Sequence, residues 1–136
     1  MSRRVALVIV VALALSGCST PSPSPASDYC VPRVSVTPAE VRPGDTITVE
    51  VESGCDAPMP RGGWLMTAAP VGELDLAVRT TVEKDLGDGL TISIELPSSF
   101  PLGEAWAGLD GWDYGDCADN ASCASPTGSF RVVRAP

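Results

Sequence analysis

The chain has 136 residues, no histidine, and seventeen acidic against nine basic side chains, a formal charge of −8. Without histidine the commonest general base is missing, which excludes Ser-His-Asp and Cys-His machinery within this chain. The acidic balance argues against nucleic acid as a partner and against lying on an anionic leaflet, since both would repel it.

The first element is an export signal. Ser2-Arg3-Arg4 supplies a positive start, and Val5 to Leu15 is an unbroken run of Val, Ala, Leu and Ile. That run is too short for a stable transmembrane span and has the layout of a secretory signal. Its end, Leu15-Ser16-Gly17-Cys18, resembles the bacterial lipobox at every position. The resemblance implies cleavage before Cys18, a diacylglyceryl group on its sulfur, and a lipoprotein anchored at the cell membrane on the extracytoplasmic face. Two acyl chains anchor stably where one binds only marginally. A single lysine, Lys84, against eight arginines, with much Ala, Gly, Pro and Val, suggests a GC-rich genome. The chain thus resembles lipoproteins of high-GC Gram-positive bacteria. Loss of residues 1–17 removes Arg3 and Arg4, leaving seven basic against seventeen acidic side chains, a formal charge of −10.

Residues 18–27 follow as a linker, in which Ser and Pro alternate from Pro21 to Pro25. Such a composition favours polyproline II and makes a spacer of roughly 30 Å, at about 3.1 Å per residue. Residues 28–136 remain for one folded domain with a modest core. With Cys18 assigned to lipid, four cysteines are left: Cys30, Cys55, Cys117 and Cys123. An even number in an oxidising compartment points to two disulfides. Zinc is a poor competitor, given the absent histidine and spacings unlike those of a ribbon or finger. No cofactor or metal is expected.

The folded part alternates as β-structure does. In Thr46–Glu52, Ile47, Val49 and Val51 point one way and Thr48, Glu50 and Glu52 the other. Leu90–Leu96 repeats the pattern, and shorter strands are expected over Arg33–Thr37, Gly63–Ala68, Leu74–Val82, Glu104–Leu109 and Gly128–Val133. Turn chemistry separates them at Arg42–Asp45, Asp56–Gly63, Leu86–Gly89 and Pro97–Gly103. A helix competes only over Gly72–Leu86, where the Val-Arg-Thr-Thr-Val centre favours a strand.

Seven short strands with frequent turns predict an all-β fold, an immunoglobulin-like antiparallel β-sandwich. The stretch from Val34 through Pro38, Pro43-Gly44 and Val49 resembles the opening of bacterial immunoglobulin-like modules. Asp88-Gly89-Leu90 and Phe100–Ala105 resemble their later hairpin. The resemblance carries no catalytic residue, so it bears on fold and hardly on activity. Cys55, Trp64 and Cys117 stand in the antibody order, but Tyr114 is three residues before Cys117, not two, and Cys55 ends its strand. The preferred pairing is therefore Cys30–Cys55 with Cys117–Cys123; Cys55–Cys117 with Cys30–Cys123 is the alternative.

No phosphate loop or dinucleotide fingerprint appears. A carboxylate-only glycosidase is chemically conceivable, yet the acids read mainly as solvated surface, and the chain is expected not to be an enzyme. Chemistry-bearing residues are densest over Trp106–Cys123, with Asp110, Asp113, Asp116, Asp119, Trp112 and Tyr114. Three readings stay open. The acids can offer hard oxygen ligands to calcium, though their spacing is not that of an EF-hand. Trp112 and Tyr114 can stack on a sugar or peptide while Asp110, Asp113 and Asp116 accept hydrogen bonds. Or the aromatics plug one end of the sandwich; Trp64 and Trp106 read as core in any case. The expected function is a tethered binding or accessory module for an envelope glycan, peptide or protein. The alternative is a structural spacer or protein-interaction subunit that works through an exposed strand edge.

Overall fold

The computed structural model describes residues 30–52, 54, 55, 57–112 and 126–135. They form eight strands in two sheets, the sandwich expected from the alternation. The strands are β1 (Val34–Thr37), β2 (Glu40–Val41), β3 (Thr46–Val51), β4 (Trp64–Pro70), β5 (Val78–Val82), β6 (Leu90–Glu95), β7 (Gly103–Asp110) and β8 (Thr127–Val132). The smaller sheet has the order β1-β3-β6 and the larger β2-β8-β7-β4-β5.

Two details depart from the sequence reading. First, the chain has an eighth strand and one parallel pairing. Pro38 cannot donate to a ladder, so β1 ends there. The next two residues of regular structure, Glu40 and Val41, join the other sheet beside Arg131 and Val132, parallel to β8. Second, Leu74–Val82 is not one strand. Leu74–Leu76 forms a single 3-10 turn with no buried residue, and only Val78–Val82 pairs with β4.

The period-2 pattern decides which side chains are inside. Ile47, Val49 and Val51 from β3 and Leu90 and Ile94 from β6 meet Trp64, Met66 and Ala68 from β4, Ala105, Ala107 and Leu109 from β7, and Phe130 and Val132 from β8. Thr46 and Glu50 alternate with the buried residues of β3 and face water. β1 lies across β8. A side chain at Gly128 would bring a Cβ to 3.0 Å from both the Val34 carbonyl oxygen and Val36 Cγ2, so glycine lets the sheets approach closely there. Arg42-Pro43-Gly44-Asp45 closes as a turn, the Asp45 N–H donating to the Arg42 carbonyl at 3.0 Å. The Arg42 N–H in turn donates to Asp45 Oδ2 at 2.9 Å, the side-chain cap that makes Asp common in such turns.

Chain direction defines two ends. Cys30, the start of β1 and the end of β3 lie at one, together with the start of β4 and the end of β7. The other end holds Thr37, the end of β4, the start of β7 and the end of β8. Along β7 the two are separated by roughly 25 Å, at about 3.3 Å per residue. A disulfide joins Cys30 to Cys55 with their Cα atoms 5.6 Å apart, as the sequence led us to expect. It staples the segment before β1 to the segment after β3, its antiparallel neighbour. Cys18, the Ser/Pro segment, Cys117 and Cys123 lie outside the described residues.

Candidate functional site

The acid- and aromatic-rich stretch begins where β7 ends. Of its residues, Asp110, Gly111 and Trp112 are described; Asp113, Tyr114, Asp116 and Asp119 lie outside the described residues. Trp112 is not on the surface. It is 8% exposed and its ring stacks on Trp64, itself 5% exposed, with centroids 5.6 Å apart and planes inclined by 25°. An offset stack of this kind is a favourable packing arrangement for two indoles. The pair closes the Cys30 end of the core beside buried Cys55. Trp112 thus lies in the core with one face against Trp64, an arrangement that suits the packing role among the three readings of this stretch. Among the described residues neither indole Nε1 has a hydrogen-bond partner.

Asp110 is exposed, on the outer face of the larger sheet, and already engaged. Thr67 Oγ1 donates to Asp110 Oδ2 at 3.1 Å, and Arg79 Nε stands 4.0 Å from the same oxygen. The register explains the meeting: Gly108, two residues before Asp110, pairs with Thr67, which pairs with Arg79 on its other side. Thr67 is fully buried, so its hydroxyl needs such a partner. This arrangement makes Asp110 a structural acceptor across three strands, and does not turn it toward a shared ligand with Trp112. Among the described residues no three His, Cys, Asp or Glu side chains converge to hold a metal.

Trp106 also differs from expectation. It is only half-buried and lies on the outer face, between Ala69 and Ser129 in register, while Ala105, Ala107 and Leu109 take the inner positions. Its alternation with Glu104 and Asp110 on one side of β7 is the sequence signal for the outer face. On the same face Arg131 pairs with Glu104 across β7 and β8.

An open cleft of about 400 Å³ runs beside Glu50, Glu52, Lys84, Asp88 and Leu90. Its lining is mainly polar, unlike the predominantly apolar pockets that bury small molecules.

Four of the six exposed large apolar side chains among the described residues gather at the other end; Met59 and Leu65 lie elsewhere. Val71, Leu74, Leu76 and Leu102 are 64%, 58%, 49% and 50% exposed. Pro70 pairs with Ala105 and the Val71 N–H donates to the Glu104 carbonyl, which sets Val71 beside the segment carrying Leu102. The 3-10 turn follows at once, held by the Ala77 N–H to the Leu74 carbonyl at 3.2 Å, and it turns both leucines outward. Scattered single apolar residues on a surface need no explanation, whereas several near one another make that end a candidate contact surface. The sequence places Leu74 and Leu76 in a strand over Leu74–Val82 and carries no sign of this exposed end. Comparison of the chain with known protein families, with curated proteins and with solved structures found no match.

Proposed function

We propose that this chain is a membrane-anchored lipoprotein whose sandwich serves, without catalysis, as an extracytoplasmic accessory module that works by protein contact. The observation that carries the reading is the exposed group of Val71, Leu74, Leu76 and Leu102 at the end of the sandwich remote from Cys30. A tether through Cys18 and the Ser/Pro segment would join the sandwich at its Cys30 end and leave the remote apolar end accessible. The Cys30–Cys55 disulfide supports an oxidising compartment. The buried Trp112 turns the reading from glycan or peptide capture by loop aromatics toward contact between proteins.

Two measurements test it. Mass spectrometry of the mature N-terminus should find a diacylglyceryl group on Cys18; an unmodified Cys18 in a freely soluble protein overturns the anchor. A photo-crosslinking residue at position 74 in growing cells should give protein adducts, and one at exposed Ser93 should not. Combining Val71→Ser with Leu102→Ser should remove those adducts while changing stability by less than about 0.5 kcal/mol, as surface substitutions do. Adducts that survive this pair overturn the contact surface.

A further inference from the structure

β5 is the last strand of the five-stranded sheet. It pairs with β4 on one side, in continuous register from Val78 opposite Ala68 to Val82 opposite Trp64. On its other side, among the described residues, alternate N–H and C=O groups have no ladder partner. The larger sheet also overhangs the smaller. Thr80 shares the inward side of β5 with half-buried Val78 and Val82, yet it is exposed. Natural sheets guard such an edge with lysine, proline or a bulge. Val78-Arg79-Thr80-Thr81-Val82 has none of these. Its one cation, Arg79, is turned to the outer face beside Asp110.

Charge surrounds this edge asymmetrically. Glu73 and Asp75 precede the strand and Glu83 and Asp85 follow it, all exposed, with Lys84 the one base among them. Among the described residues none of the four carboxylates forms a salt bridge. Carboxylates thus bracket an open strand that adjoins Leu74 and Leu76. A second copy of this chain is a poor occupant. Antiparallel pairing of two β5 strands brings Glu73 and Asp75 of one copy against Glu83 and Asp85 of the other, and parallel pairing aligns like with like. Opposed like charges destabilise a strand pair.

We propose that β5 accepts, by strand addition, an extended segment of a different protein whose β-branched or apolar centre is flanked by Lys or Arg at both ends. Main-chain hydrogen bonds to β5 supply the attachment, and the four carboxylates select the flanks. The proposal rests on the protein-contact reading above and names the edge and the chemistry of the partner.

The test uses the full lipidated chain in phosphatidylcholine vesicles with two synthetic peptides, Lys-Lys-Val-Thr-Val-Thr-Val-Lys-Lys and its Glu-flanked counterpart. Amide hydrogen exchange over residues 78–82 is the readout. The Lys-flanked peptide should slow alternate β5 amides by about ten-fold or more, and the Glu-flanked one should leave them unchanged. Glu73→Lys, Asp75→Lys, Glu83→Lys and Asp85→Lys together should invert that preference without altering exchange in β3 and β7. Equal protection by both peptides, or by neither, overturns the proposal. So does protection without peptide that grows with protein concentration, which would reveal self-pairing. Unprotected β5 amides with cross-linking at position 74 retained overturn strand addition alone; loss of both overturns the protein-contact reading as well.

Discussion

Two tryptophans carry opposite lessons about what a single residue reveals. Trp112 follows Gly111 in a stretch of acids and glycines, a setting that suggests exposure, yet its indole lies against Trp64 in the core. Trp106 lies within a strand, a setting that suggests burial, yet it occupies the outer face. Local composition misleads in the first case because burial is set by what the side chain packs against, here Trp64 of β4. In the second the information was present, as the parity of Trp106 with Glu104 and Asp110. Truncating Trp112 to Ala should therefore cost about 3–5 kcal/mol in urea unfolding, the range for buried aromatic residues. A double-mutant cycle with Trp64→Leu, which removes the aromatic ring, should isolate about 0.5–1.5 kcal/mol for the stacked pair. A Trp112→Ala loss under about 1 kcal/mol would show that the ring contributes no more than a surface side chain.

Among elements, long alternation was legible and short or interrupted segments were not. Thr46–Val51 and Leu90–Glu95 emerge within one residue of their expected limits, because four or more alternating positions leave no other face to bury. β2 has two residues, too few to display a period. The segment from Leu74 to Val82 has apolar residues at 74, 76, 78 and 82, but its first part curls into a 3-10 turn and only its second part finds a partner strand. The Cys30–Cys55 bridge was foreseeable because both cysteines flank neighbouring strands at the same end. Replacing both by serine should lower unfolding free energy by about 3 kcal/mol, the chain-entropy value for a closed loop of this size. The β1–β3 ladder should then be the first to lose amide protection, since β1 is an edge strand with four residues.

At the scale of the whole molecule, the sandwich architecture was legible from strand count and turn chemistry, whereas the candidate interaction surface was not. Exposed leucines have no sequence signature: Leu74 and Leu86 are alike in the chain, and only the folded arrangement leaves the first 58% exposed and the second 1%. The acid-rich stretch after β7 drew attention because its composition is local and visible. The apolar end is assembled instead from the close of β4 and the 3-10 turn that follows it, together with the approach to β7, which is distant from both in sequence.

The bridge from Cys30 to Cys55 has a mechanical consequence. In a chain tethered through Cys18 and bound at β5, as proposed above, a pull between the two points would cross from Cys30 directly to Cys55. The backbone of β1, β2 and β3 would thereby be removed from the line of tension. Stretching the oxidised protein between its N-terminus and β5 should leave the bridged segment folded in contour. Adding reductant under load should release about 80 Å of hidden length, given a separation of 25 residues at about 3.4 Å each. A force trace with that extension already present before reduction would show that the load travels through β1 instead.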